Sequence, residues 1–243
     1  MLSYNDLGTG TPIVLIHGLG SKKEAWIPQH ELANKYRLII PDLRGHGETI
    51  LNEDLTIKNF ALDIINLLEY LKISSAFICG LSLGGIVAQE LYKQRPEIVR
   101  GLILSNTTSY IPFFLANGII HLSNQLLQTD HQKLIDQIVK TALYDNSYQK
   151  EARKAFHIRD TYIKSAKAPI GINYYSFLPF IKKPVLLIGS THDKVTPSIN
   201  IYLMKLFIRD ARLSIFKNTG HLSNIEKKDL FNKHLHDFIM TTA

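Results

Sequence analysis

The sequence predicts an α/β fold: a mostly parallel sheet with helices on both faces and a helical insertion between two late strands. Three features of the chain point there. Apolar runs of four to six residues recur along it, helix-like segments separate them, and the runs are apolar throughout instead of alternating. Strands covered on both faces read this way, and strands alternating with helices pair in parallel.

PIVLIHG (12–18) is a buried strand ending in a turn, and RLIIPD (37–42) is a second, stopped by Pro41. LTIKNFALDIINLLEYL (55–71) places Ile57, Phe60, Ala61, Ile64, Leu67, Leu68 and Leu71 on one stripe, so it is an amphipathic helix that Thr56 is placed to cap. AFICG (76–80) is a strand, followed by a helix from Leu83 to Gln94 that Pro96 ends. GLILSNT (101–107), PVLLIGS (184–190) and ARLSIF (211–216) are further strands. A last helix, about Lys227 to Met240, turns Leu230, Phe231, His234, Leu235, Phe238 and Ile239 to its apolar side. Residues 111–180 break the rhythm. They hold no convincing strand, carry helix-like patterns such as HLSNQLLQTDHQKLIDQIVKTAL, and end in the aromatic NYYSFLPF. They are expected to form a cap over the strand ends, leaving 1–110 and 181–243 as the core.

At 243 residues, 45% hydrophobic and 20% charged, the chain is long enough for one large domain with a real core. No apolar stretch approaches the ~18 residues of a membrane span. The start, MLSYNDLG, lacks the basic and apolar regions of a signal peptide. A single cysteine, Cys79, rules out an internal disulfide and a cysteine-rich metal cluster. These features lead us to expect a soluble, cytoplasmic protein with no membrane or nucleic-acid partner. The net charge of +7 suits an acidic partner, although dispersed lysines on a solvated surface account for most of it.

The chemistry starts at ICGLSLGGIVAQE (78–90), where Ser82 stands in Gly80-Leu81-Ser82-Leu83-Gly84 between a strand and a helix. That context marks a nucleophile elbow, which a Gly-x-Ser-x-Gly match alone does not. A serine needs a base and the base an orienting acid. Of ten histidines, His221 in FKNTGHLSN follows a strand. His234 and His236 sit on the last helix, His121, His131 and His157 in the insertion, and His192 is a minor rival. The loop after PVLLI offers Asp193 as the acid, whereas the position after GLIL holds Ser105 and Asn106. The order Ser82, Asp193, His221 is that of an α/β-hydrolase triad, and every member follows a strand, where active sites of such sheets lie.

HGLG (17–20), PDLRGHG (41–47), GLSLGG (80–85), the Asp193 loop and GHLSNIE (220–226) together resemble the recurring blocks of the α/β-hydrolase superfamily over almost the whole chain. The resemblance implies Leu19 and Leu83 as backbone oxyanion donors, no cofactor and no metal. It assigns bracing roles to His17, Asp42, Arg44 and His46, and puts Trp26 under the oxyanion loop or in the pocket wall. It also implies a first strand, absent or truncated here because only LSYNDLG precedes the core. Ser82 separates the chain from dehalogenases and epoxide hydrolases, which carry Asp there. Leu222 after His221, and Trp26 as the only tryptophan, disfavour meta-cleavage C–C hydrolases.

Substrate choice is left to the cap. Phe113, Tyr174, Tyr175 and Phe177, with Trp26, are candidates for the pocket, but cap aromatics equally form their own core. The Ser82 block is similar to that of 3-oxoadipate enol-lactonases, and the compact layout is like the pimeloyl-ACP methyl ester esterases of biotin synthesis. Lys150, Arg153, Lys154 and Arg159 are candidates for docking an acidic acyl carrier protein, with Lys150, Lys154, His157 and Lys164 near one helical face. The sequence therefore points to a serine esterase, with a lactonase or a non-catalytic ligand receptor as alternatives.

Overall fold

The computed structural model describes residues 1–114, 118, 120, 121, 125 and 130–242. Seven strands form one sheet: β1 (Tyr4–Leu7), β2 (Thr11–Ile16), β3 (Tyr36–Pro41), β4 (Ala76–Leu81), β5 (Val99–Ser105), β6 (Val185–Ser190) and β7 (Ala211–Phe216). Their spatial order is β1-β3-β2-β4-β5-β6-β7. Every pairing is parallel except β1 with β3. The outer strand is thus present but only four residues long, and antiparallel pairing along β3 lets so short a segment join the sheet.

The middle strands β4, β5 and β6 are buried almost throughout, as expected of parallel strands sandwiched between helices. On one face lie α1 (Ile57–Tyr70), α2 (Leu83–Gln94) and α6 (Ile199–Phe207), which contribute Phe60, Ile64, Val87, Leu91 and Met204 to one core. On the other face, a 3-10 segment (Lys23–Asn34) and α8 (Lys228–Thr242) supply Trp26, Phe231, Leu235 and Phe238 to a second. The Thr56 hydroxyl accepts the Asn59 N–H at 3.1 Å, the N-cap anticipated from sequence.

Between β5 and β6 run α3 (His131–Ala142), α4 (Gln149–Lys154) and α5 (Tyr162–Lys167). Of the helix-like pattern over 121–143, residues 122–124 and 126–129 lie outside the described residues. Lys150, Lys154, His157 and Lys164 do not share a helix. The chain leaves α4 after Lys154 because the Phe156 backbone bridges Ser21 and the His157 N–H donates to the Gly20 carbonyl. The last helix, α8, starts where expected, after a separate turn α7 (Ser223–Glu226), but Leu230 is exposed instead of lying on its apolar side. Asn232, which sequence reading left off the apolar side, is buried against Gln29.

The turn after β3 depends on a buried ion pair. Asp42 accepts the Lys23 backbone N–H at 2.7 Å, the Lys23 ammonium at 3.1 Å and the Glu48 N–H at 2.9 Å. Burial alone would raise the Asp42 carboxyl, but His17, these N–H groups and Lys23 hold it below its usual range. A native pKa below the unfolded one gives stability that is present above the unfolded value and is lost as pH falls through the native one. Asp42→Asn should therefore destabilise the fold by about 3 kcal/mol at pH 7. Chemical denaturation across pH 3–7 checks this, and the gap to wild type should narrow toward the acid end.

Candidate active site

β2 and β4 are neighbours in the sheet but not in sequence, so strand order reverses between them and leaves a crevice at their carboxyl ends. Gly18 and Ser82 meet in that crevice: a Cβ built on Gly18 would stand 3.3 Å from the Ser82 Cβ. Ser82 follows β4 and precedes α2 with φ 56° and ψ −120°, a conformation costing a side-chain-bearing residue roughly 1–3 kcal/mol. Its surroundings leave no alternative. The Ser82 N–H donates to Ser105 O at 3.0 Å, and its carbonyl accepts the Thr107 hydroxyl at 2.7 Å and the Gly85 N–H at 2.9 Å. Gly80 and Gly84 are needed for close approach, since a Cβ on Gly84 would lie 2.2 Å from Ile16 O and one on Gly80 2.2 Å from Gly84 O.

Asp193 follows β6 and His221 follows β7. The two are buried together, with His221 Nδ1 2.8 Å from Asp193 Oδ2. Asp193 Oδ1 accepts the Val195 and Thr196 N–H groups, each at 2.8 Å. Its Oδ2 also accepts the Asn106 amide at 2.9 Å and the Thr196 hydroxyl at 3.0 Å. Burial would raise this carboxyl, but His221, Asn106 and the Thr196 N–H hold it below the ordinary carboxylate range. A carboxylate so placed accepts a proton-bearing Nδ1 and leaves Nε2 as the basic nitrogen of His221. The His221 loop is fixed in turn: its N–H donates to Ala142 O at 2.6 Å, and Glu226 Oε1 accepts the Gly220 N–H at 2.8 Å.

Asn106 went unassigned in the sequence although it occupies the other position where an acid can stand. It is fully buried at φ 45°. Its Oδ1 accepts the Ser223 hydroxyl at 2.7 Å and the Ser105 hydroxyl at 3.0 Å, while its Nδ2 donates to Ser190 Oγ and Asp193. Only a nitrogen can face a carboxylate, so the amide orientation is fixed by its partners.

The bracing residues stand where expected. His17 Nε2 accepts the Leu43 N–H at 3.0 Å, so its Nδ1–H donates to Gly18 O at 2.8 Å and ties the loops after β2 and β3 together. Arg44 grips Asp63 through two bonds of 2.6 and 2.7 Å. His46 is pushed down to about 3 by burial and by His17, and packs neutral against Phe60.

The pocket candidates scatter. Trp26 is fully buried with its ring 6.0 Å from Phe231, so it is a core residue and no pocket wall. Tyr174 is also buried, its hydroxyl donating to Glu90 at 2.7 Å, which makes it a post between the insertion and α2 instead of a substrate contact. Tyr175 stacks on Phe207 and Tyr110, Phe177 packs on Tyr92, and Phe113 is 71% exposed. The basic candidates are mostly occupied. Arg153 pairs with Asp136 and Gln132, Lys154 with Glu151, and Arg159 donates to the Thr49 and Gly47 carbonyls, leaving exposed Lys150. Arginine and lysine charges spent on internal partners steer an acidic protein less than free ones do.

The sequence model of the alpha/beta hydrolase family matches residues 13–233. The chain belongs to this family. It is 26% identical to 3-oxoadipate enol-lactonase 1 of Acinetobacter baylyi, over 93% of this chain and 88% of that protein. Identity is also 26% to the 2-hydroxymuconate semialdehyde hydrolase of Pseudomonas sp. CF600, over 98% and 89%. Among solved structures, the enol-lactonase from Burkholderia xenovorans LB400 superposes with a TM-score of 0.88 at 27% identity, covering 98% of this chain and 96% of that one. A thermophilic esterase from Thermogutta terrifontis shares the fold with a TM-score of 0.89 at 22% identity, over 99% and 93%. Hydrolysis is the chemistry common to these relatives, and the chain is a hydrolytic enzyme of this family.

Asn106→Asp should set a second carboxylate against Asp193 Oδ2. Such a pair holds one proton to higher pH than separate carboxylates do. The native state would then bind more protons than the unfolded one, so stability falls as pH rises. The variant should lose on the order of 3 kcal/mol at pH 8 and less at pH 4.5. Melting temperatures of variant and wild type at the two pH values check the sign.

Proposed function

We propose that the chain hydrolyses carboxylic esters, lactones included, through an acyl-enzyme formed on Ser82. What supports this most is the strained Ser82 turn at the β2–β4 crevice, with the paired Asp193 and His221 buried two and three strand ends away in the same sheet. Ser82 Oγ attacks the carbonyl carbon while His221 Nε2 takes its proton, and Asp193 stabilises the resulting imidazolium. The oxyanion is assigned to the Leu83 and Leu19 N–H groups. Leu83 opens α2, where the first N–H groups have no intrahelical acceptor, and Leu19 follows the Gly18 that touches Ser82. Each donor is worth about 3–4 kcal/mol in the transition state. Collapse returns the proton from His221 to the leaving alcohol. Water, deprotonated by His221, then releases the acid and restores Ser82.

The enol-lactonase relatives favour an ester or lactone, although similarity to the 2-hydroxymuconate semialdehyde hydrolase is of equal size. Leu222 after His221 and the burial of Trp26, the only tryptophan, support the ester side. We take residues 111–180 as the cap that selects the acyl group. A free ester fits the paired basic side chains better than a carrier-bound one, and the pimeloyl-type methyl ester on acyl carrier protein is the narrower form of the proposal. The single buried thiol of Cys79, pushed up by burial, is compatible with a reducing cytoplasmic setting.

A hydrolysis panel tests this with p-nitrophenyl esters of graded acyl length, an enol-lactone, and a dicarboxylate monomethyl ester free and on acyl carrier protein. Wild type should turn over ester or lactone. Ser82→Ala should lower kcat by about 10⁴-fold or more, and Asp193→Asn by about 10⁴-fold. Full activity in Ser82→Ala would contradict the proposal. Preference for the carrier form, lost on reversing Arg153 and Lys154, would establish the narrower one.

A further inference from the structure

α6 is apolar on both its inner and its outer side, yet it lies at the surface. Its inner side, Ile201 and Met204 with Ile208 just beyond, packs on the sheet. Its outer side, Ile199, Tyr202, Leu203, Leu206 and Phe207, follows the i, i+3, i+4, i+7, i+8 spacing of a second helical stripe, and all five are exposed, Leu206 to 79%. A helix with two apolar faces ordinarily buries both. The stripe continues beyond the helix. The Phe207 ring stands 5.0 Å from Tyr175, and Tyr175 stands 6.4 Å from Tyr110. Exposed Phe180 ends the turn that packs on α6, and exposed Val195 leads into the helix. An apolar surface this continuous marks an interaction site.

The chain that forms this face is predominantly basic. Over residues 169–210, Lys182, Lys183, Lys194, Lys205 and Arg209 stand against Asp210 as the only exposed acid, because Asp193 is buried. The adjoining TTSYIPFF (107–114) carries no charge. A second copy packed about a two-fold axis would bring these cations against themselves. The outer face of a helix is convex, and it offers Tyr202 and Lys205 as its few polar groups, since Asn200 is bonded to Thr108 and Pro197. A protein partner would have to match its shape, whereas an acyl boundary accepts apolar side chains of any shape and anionic headgroups complement the basic rim.

We propose that the outer face of α6 docks the protein on an anionic lipid surface, with Ile199, Tyr202, Leu203, Leu206 and Phe207 entering the interface and Lys182, Lys183, Lys205 and Arg209 meeting headgroups. This is peripheral attachment, since no helix among the described residues is long and apolar enough to cross a membrane. It departs from the expectation of no membrane partner. α6 begins just past Thr196, which bonds Asp193, so docking turns the strand ends toward the lipid. The inference does not depend on the ester reading, because binding is measured without turnover.

The test is co-sedimentation of the full chain with vesicles of phosphatidylcholine alone or mixed equally with phosphatidylglycerol, at physiological salt. Wild type should bind the mixed vesicles at least about tenfold more tightly than the neutral ones. Leu203→Glu/Leu206→Glu should abolish binding, and Lys182→Glu/Lys183→Glu should weaken it about tenfold or more. Because these side chains are at the surface, melting temperatures should stay at the wild-type value. Failure of wild type to bind mixed vesicles would overturn the proposal, as would binding unchanged in both variants. A vesicle-free dimer that Leu206→Glu splits would overturn it too, and would assign the face to a second copy.

Discussion

The site is organised around one tight turn, the junction at Ser82 where β4 becomes α2 with almost no space between chain segments. The helix must start directly behind the strand, so Gly84 presses on the Ile16 carbonyl at the end of β2 and Gly80 on the Gly84 carbonyl. That contact forces Ser82 to φ 56° and turns its side chain out at the crevice between β2 and β4. It also delivers the N-terminus of α2, with its unpaired N–H groups and positive dipole end, to the same crevice. The strain is sustained because both core faces, anchored by Phe60 and Leu91 on one side and Trp26 and Phe231 on the other, hold the strand and helix in position.

A second level of order joins three strand ends. Asn106 after β5 holds Asp193 after β6, and Asp193 holds His221 after β7. Ser223, just past His221, closes the circuit on Asn106. Each hydrogen bond in this ring has a defined direction, because a carboxylate accepts only and an amide nitrogen donates only. The imidazole is therefore presented in one tautomer, with the proton on Nδ1 facing Asp193.

Much of this was readable from residues. Strands such as PIVLI followed from short apolar runs and the amphipathic helix capped by Thr56 from its period, and the order Ser82, Asp193, His221 followed from position after strands. Other features depended on long-range partners. β1 is too short and too exposed to give an apolar signal, and it exists through antiparallel pairing along β3. Asn106 looked like an empty acid position until its four side-chain partners were in place. The aromatics of the insertion were legible as aromatic, but Tyr174 is committed to Glu90 and Tyr175 to Phe207 by tertiary packing that sequence spacing does not encode. The basic run over 150–167 failed as one helical face for a similar reason, because a backbone bridge to Ser21 diverts the chain.

The most direct test of the account is to expose the folded protein to a fluorophosphonate probe and map the adduct by peptide mass spectrometry. A stoichiometric phosphonyl adduct on Ser82 is expected, formed rapidly and slowed sharply when His221 is changed to Ala. Absence of an adduct on the folded chain, or an adduct on another serine with Ser82 unmodified, would contradict it.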